Sequence, residues 1–195
     1  MAREDQKRRS DNVRQAILDT ALEIGLSEGF ESVSIRKIIN KMKYSTGVVY
    51  HYFSDKQEII DALEESETQS MRGVITELLD DEKDSAYNIA TVFHMIMKLA
   101  IEQPEKYNLI VLHKYSREKP SAPMWISYLS ENLKKDIQTG RIRQLDTEKA
   151  AFSVWSSFIG FILMISRLPN LSAEEAENMF NVQTNIILKG ILNHE

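Results

Sequence analysis

Apolar residues recur along this chain at intervals of three and four and almost never in alternation, a pattern that predicts helices rather than strands. Val13, Ile17, Ala21 and Ile24 mark the first helix, and Gly29 closes it with a residue suited to the left-handed backbone beyond a helix end. Ser34 is placed to cap a short second helix with Ile35, Ile38, Ile39 and Met42 inward and Arg36, Lys37, Lys41 and Lys43 outward. Ser45 begins a third, in which Val49 and Phe53 share one face and Tyr44 and Val49 have the spacing of a hydrophobic staple. Asp55 caps a fourth with Lys56 in its first turn, and Ile59, Ile60, Leu63, Met71, Val74, Ile75 and Leu78 carry the period to about Asp81. The charged residues before Val13 predict a disordered tail, or an arm whose Lys7, Arg8 and Arg9 follow phosphates or enter a minor groove.

The second half repeats the pattern. The acidic stretch Asp80 to Asp84 reads as a solvated link. Ser85 to Gln103 then carries Ile89, Val92, Phe93, Ile96, Met97 and Ala100 on one face and stops at Pro104, and a further helix runs from Glu105 to about Arg117. Lys119 to Pro123 is a break, after which Met124 to Thr139 turns Trp125, Tyr128, Leu129 and Leu133 inward and Gly140 ends the helix. From Asp146, an N-cap, the helix Glu148 to Leu168 is the most apolar of all, and Phe158 to Ile165 contains no polar side chain. That run is far short of the roughly 20 residues that span a bilayer, so no membrane is expected. A helix apolar on all sides must be buried on all sides. One face is therefore expected in the unit's own core and the other against a second subunit, joined by the last helix, Ala173 to about Leu192, with Ala176, Phe180 and Ile191 among its apolar residues. The expected homodimer contact comprises Trp155, Phe158, Phe161, Ile162, Met179, Ile186 and Ile187.

Composition narrows this picture without changing it. At 195 residues, 43% hydrophobic and 27% charged, the chain can bury one good core or two small ones, and its 7 Gly and 4 Pro leave little room for a turn-rich β fold. The lack of cysteine excludes disulfides, thiolate metal sites and a thiol nucleophile, and fits a cytoplasmic protein. No apolar stretch near the N-terminus suggests a signal peptide. His51, His94, His113 and His194 do not fall at metal-ligand spacing, and no Walker loop, GxSxG elbow or HExxH occurs, so neither catalysis nor a metal or cofactor is expected. The net charge of −5 conceals a division: residues 1–56 hold 10 Lys and Arg against 8 Asp and Glu, and the remainder 14 against 21. A local basic excess on an acidic body suits oriented docking on a polyanion.

The third helix is where chemistry concentrates. From Ser45 to Phe53 there is no Asp, Glu, Lys or Arg, although a solvated helix ordinarily carries such residues outward. The missing charge permits close approach to base edges, Gly47 removes a side chain where a backbone or base must come near, and the hydroxyls of Ser45, Thr46, Tyr50 and Tyr52 can donate to phosphate oxygens. Gly47 costs about 1 kcal/mol of helix propensity relative to Ala, a loss that a binding role would explain. Arg36, two residues past its cap, suits a phosphate or a guanine edge.

From Val13 to Lys56 the chain resembles the DNA-binding domain of the tetracycline-repressor (TetR) family. The residues that carry the resemblance are Glu28-Gly29-Phe30, Ser34-x-Arg36, Ser45-x-Gly47-x-x-Tyr50-x-Tyr52-Phe53 and Lys56. By it, Arg36, Ser45, Thr46, Gly47, Val48, Tyr50, His51, Tyr52 and Lys56 fall on positions that touch DNA, and Val49 and Phe53 on core positions. Met42-Lys43 departs from the Ala-Gly common in the turn, which requires Lys43 to adopt the left-handed conformation or the turn to differ. The resemblance implies an all-α protein: an N-terminal arm and helix-turn-helix domain over residues 1–56, and a helical regulatory and dimerisation domain over 57–195. It also implies a homodimer on an inverted-repeat operator, acting as a repressor that a small, mainly apolar ligand releases. Phe93, Met97, Tyr107, Trp125, Tyr128 and Phe158 are the candidates for lining the ligand cavity, and each can equally serve as core. The alternative is a helix-turn-helix protein controlled by a protein partner or by concentration, with no small-molecule inducer.

Overall fold

The computed structural model describes residues 2–80, 82–113 and 124–190, all of them in helices, turns and connecting segments. They divide into two compact units, Met1–Arg72 with Glu105–Lys114, and Gly73–Pro104 with Tyr115–Glu195. The Lys119 to Pro123 break, the expected helix end between 114 and 117, the last helix beyond 190, and His194 lie outside the described residues.

The first unit begins with α1 (Ala2–Glu28), which takes in the segment expected to be disordered. Its opening residues, rich in Glu, Gln, Lys and Arg, are good helix formers, and Glu4 and Asp5 in the first turn oppose the helix dipole. Gly29 leaves the helix at φ 85°, and the 3₁₀ turn Phe30–Ser32 folds the Phe30 ring onto α1. A Cβ added at Gly25 would lie 2.3 Å from that ring, so the close approach requires glycine. Then come α2 (Ile35–Met42), capped by the Ser34 side chain on the Lys37 amide, α3 (Thr46–Tyr52) and α4 (Lys56–Leu78). Ile17, Leu18, Ala21, Ile24, Val33, Ile38, Val49, Phe53, Ile59, Ile60 and Leu63 interlock as one core, completed by Leu109. The helix expected from Glu105 instead changes pitch: α6 (Pro104–Tyr107) opens into a π-helical turn, Asn108–Leu112, whose Leu109, Ile110 and Val111 are buried.

In the second unit α5 (Ser85–Glu102), α7 (Met124–Gln138), α8 (Thr147–Ile165) and α9 (Ala173–Lys189) pack together. Asp84, Asp146 and Ser172 cap α5, α8 and α9, the last in a reciprocal pair with Glu175. The buried Asp136 carboxylate accepts from the Ser85 amide at 2.6 Å and lies 3.6 Å from the Arg141 guanidinium, so α7 is tied to the start of α5. Phe93 of α5 stacks on Phe158 of α8 at 4.3 Å between centroids, and Phe180 of α9 packs beside Phe158 at 5.8 Å.

By length and composition α8 could cross a membrane, yet its packing against α5, α7 and α9 is that of a core helix. It is also not buried all round. Val154, Trp155, Phe158, Ile162 and Ile165 turn inward, and Phe152 and Met164, on either side of that face, stand 61% and 70% exposed. At about 100° per residue Phe152 and Met164 point roughly 110° and 130° away from the centre of that inward set, and the burial corrects the expected contact: Trp155, Phe158 and Ile162 lie inside their own unit. Phe161 and Ile187 are half-buried, and Met179 and Ile186 are exposed.

Candidate nucleic-acid interface

The short helix α3 is held from one side only. Val49 and Phe53 are fully buried beneath it, and the guanidinium of Arg14 on α1 lies 5.1 Å from the Phe53 ring centre. The rest of its surface faces outward: Ser45, Thr46, Gly47, Tyr50 and His51 are exposed, and Val48 and Tyr52 half-buried. His51 and Tyr52 meet edge to face at 5.0 Å. A Cβ at Gly47 would meet nothing within 4 Å, so the glycine serves no packing need inside the protein. Ser45 occupies the N-cap position in extended backbone, but its side chain makes no capping bond. Its hydroxyl is therefore not committed to the helix end.

The turn into α3 is set by Lys43, which takes the left-handed conformation itself at φ 58°, ψ 29°. That resolves the departure at Met42-Lys43: a lysine occupies the position that usually favours glycine, at a cost of about 1 kcal/mol, and α2 and α3 keep a tight connection. After α3, Asp55 accepts from the Glu58 amide and Glu58 accepts from the Ser54 amide, which starts α4 abruptly.

The cations around α3 differ in their freedom. Lys37 and Lys41 on α2 pair with Glu28 and Glu23 of α1, each at 2.7 Å. The hydrogen bond and charge of Lys37 hold the Glu28 carboxyl below its ordinary pKa. Arg36 and Lys43 are exposed and have no ionic partner among the described residues. Lys56, half-buried, donates to the Glu31 carbonyl at 2.7 Å, so its ammonium is positioned by the turn that succeeds α1. Sequence reasoning set Lys56 apart but treated Lys37, Lys41 and Lys43 alike, because ion-pair partners on the preceding α1 leave no local signal.

In the second unit a cavity of about 70 Å³ is lined by Ile75, Leu79, Ile89, Val92, Phe93, Trp125, Tyr128, Leu129 and Trp155. Its polar lining is Ser85, Asn88 and Asn132, and no ionisable acid or base lines it apart from the Tyr128 phenol. Asn88 spends both ends of its amide on the Asp80 backbone, and Asn132 donates to the Tyr128 carbonyl. Of the residues expected to line such a cavity, Phe93, Trp125 and Tyr128 are there; Met97 and Phe158 lie in the core instead, and Tyr107 is buried in the first unit. Trp155, expected at a subunit contact, is a wall of this cavity.

Residues 17–63 match the family described as bacterial regulatory proteins, tetR family. The chain is 23% identical over 128 residues to the nucleoid occlusion factor SlmA of Vibrio campbellii, a match covering 65% of each chain and so just under two thirds of that relative. It is 24% identical over 146 residues to the HTH-type transcriptional repressor AcnR of Corynebacterium glutamicum, covering 68% of this chain and 70% of that one. Among solved structures, a tetR-family transcriptional regulator from Pectobacterium atrosepticum shares the fold with a TM-score of 0.74 at 16% identity, covering 96% and 97% of the two chains.

Proposed function

We propose, from the premise that this chain is a member of the tetR family of bacterial regulatory proteins, that it works as a dimeric, cytoplasmic DNA-binding transcriptional regulator. In this reading it is a repressor that a small neutral ligand releases from an inverted-repeat operator. The observation that carries the reading is the outward face of α3: an uncharged surface of hydroxyls and aromatic rings around Gly47, where an added methyl group would meet only open space. Such a face lacks the charges a solvated helix ordinarily turns outward, whereas a major groove admits a helix and rewards close contact with base edges. Ser45, Thr46, Tyr50, His51 and Tyr52 would meet bases and phosphates, and Arg36 and Lys56 would hold the flanking backbone.

Dimerisation is supported by the apolar side chains left exposed on α8 and α9, namely Phe152, Met164, Val182 and Ile186, with Met179 beside them. Exposed apolar residues on two adjacent helices favour pairing with their copies about a two-fold axis. Two readers so related would take half-sites whose centres lie about 34–36 Å apart, or a further turn away.

Ligand control is supported by the aromatic cavity. At about 70 Å³ it is several times the roughly 10–15 Å³ that a single water needs, which leaves room for a small neutral compound. A compound that binds better to the conformation unable to span both half-sites lowers operator affinity by its differential binding energy. Selection of duplexes from a random pool by the purified protein tests the reading. Enrichment of an inverted repeat is the expected result, and recovery of duplexes without a common sequence would overturn it.

A further inference from the structure

The first unit contains a cluster of titratable side chains that belongs neither to the α3 surface nor to the aromatic cavity. Asp61 and Glu64 are three positions apart on α4, hence on one face, and His113 comes directly after the π-helical turn of the same compact unit. The His113 Nδ1 lies 2.8 Å from Glu64 Oε2, and one donor atom from each of the three residues falls within 4.8 Å of the other two. We propose that these residues bind a divalent first-row transition metal, zinc or a close relative, which pins the segment after α5 to α4.

Three features carry the proposal. The donor set is one imidazole nitrogen with two carboxylates, a combination suited to Zn(II), Co(II), Ni(II) or Mn(II), whereas Mg(II) and Ca(II) take oxygen donors. The donors are already convergent. Ligands of a tetrahedral ion at about 2.0–2.1 Å stand roughly 3.3–3.5 Å from one another, so the widest separation here closes by side-chain rotation alone. The third feature is burial: the side chain of Glu64 is 12% exposed and that of His113 23% exposed, so both end groups are already largely desolvated. Between them the imidazole supplies a hydrogen bond, whereas a divalent cation inserted between the same two atoms would bond to both. Asp61, which accepts from Gln57 Nε2 at 2.9 Å, would turn inward from the rim, and water would complete the coordination.

The backbone suits this arrangement. A π turn carries one more residue than an α turn, which rotates the residues beyond it by about 100° relative to a regular helix. Leu109, Ile110 and Val111 anchor it at 2% exposure each, and His113 emerges where α4 presents Glu64. On the next turn of α4, Glu67 meets Lys106 at 2.7 Å, a fixed cation, so the segment is already held in register before any metal arrives.

The test uses the full-length protein without a tag, stripped with EDTA and titrated with Co(II), followed by displacement with Zn(II). Expected are a visible ligand-field absorption that Zn(II) abolishes and a rise in melting midpoint with Zn(II) that Mg(II) and Ca(II) do not produce. His113→Ala and Asp61→Asn should each weaken Zn(II) binding at least tenfold. Asp61 sits at the rim, so Asp61→Asn gives a folded variant even if His113→Ala does not. No cobalt absorption together with an unchanged melting midpoint would overturn the proposal, as would Zn(II) affinity unaltered in Asp61→Asn. Stabilisation by Mg(II) or Ca(II) equal to that by Zn(II) would overturn the assigned metal class.

Discussion

Gly47→Ala sets stability and DNA binding against each other, and so tests the assignment of α3 directly. The residue is helical, and the new methyl group would have no heavy atom within 4 Å, so no clash opposes it. Replacing a helical glycine by alanine stabilises by about 0.5–1 kcal/mol, with the lower part of that range expected in a first turn. With a urea m-value of about 1–3 kcal/mol per molar, the unfolding midpoint of the first unit should rise by a few tenths molar. Trp125 and Trp155 both belong to the second unit, so tryptophan fluorescence would miss the change. Amide exchange at core positions such as Ile38 and Val49 would report it. On DNA the methyl group projects toward the groove, where one displaced base contact costs about 1–3 kcal/mol, which is roughly a 5- to 150-fold loss of affinity. Fluorescence anisotropy with a selected duplex measures that loss. Equal affinity of the two proteins, or reduced stability of the variant, would refute the idea that this glycine exists for an external partner.

The same geometry sets the outcome of other perturbations. Lys56→Ala should weaken binding to all sequences alike and lower the slope of log affinity against log salt by about 0.9; selectivity lost at constant slope would contradict a phosphate role. Phe152→Glu combined with Ile186→Glu should yield a folded monomer by light scattering, because both side chains are already in solvent. Phe158→Ala should instead cost about 3–5 kcal/mol of the second unit's stability, read by chemical denaturation, since it removes a fully buried ring stacked on Phe93. Because both tryptophans wall the cavity, a small neutral compound that occupies it should alter tryptophan emission and lower operator affinity at the same concentrations. A change in emission without a change in affinity would separate the cavity from regulation.

Much of the fold was legible in the order of residues because its signals are local. Helical periodicity, the caps at Ser34 and Asp146 and the breaks at Gly29 and Gly140 each depend on neighbours within a turn or two, so their positions survived into the structure. The same holds for Val49 and Phe53, whose spacing alone puts them beneath α3. The extent of α1 was misjudged because a charged segment was read as disordered, although its Arg, Glu, Gln and Lys residues favour helix almost as strongly as alanine does.

What the order of residues determined, then, is which of them form helices and which face of α3 carries no charge. Only tertiary structure decided which apolar face of α8 turns inward, so that Trp155 and Phe158 went to the interior and Phe152 and Met164 to solvent. It also decided that Lys37 and Lys41 are neutralised by α1, and that His113 meets a carboxylate 49 residues earlier in the chain. The reason is physical: a helix writes its period within each turn, whereas the partner across a packed interface is chosen by how elements far apart in the chain come together, and no short window of sequence records that choice.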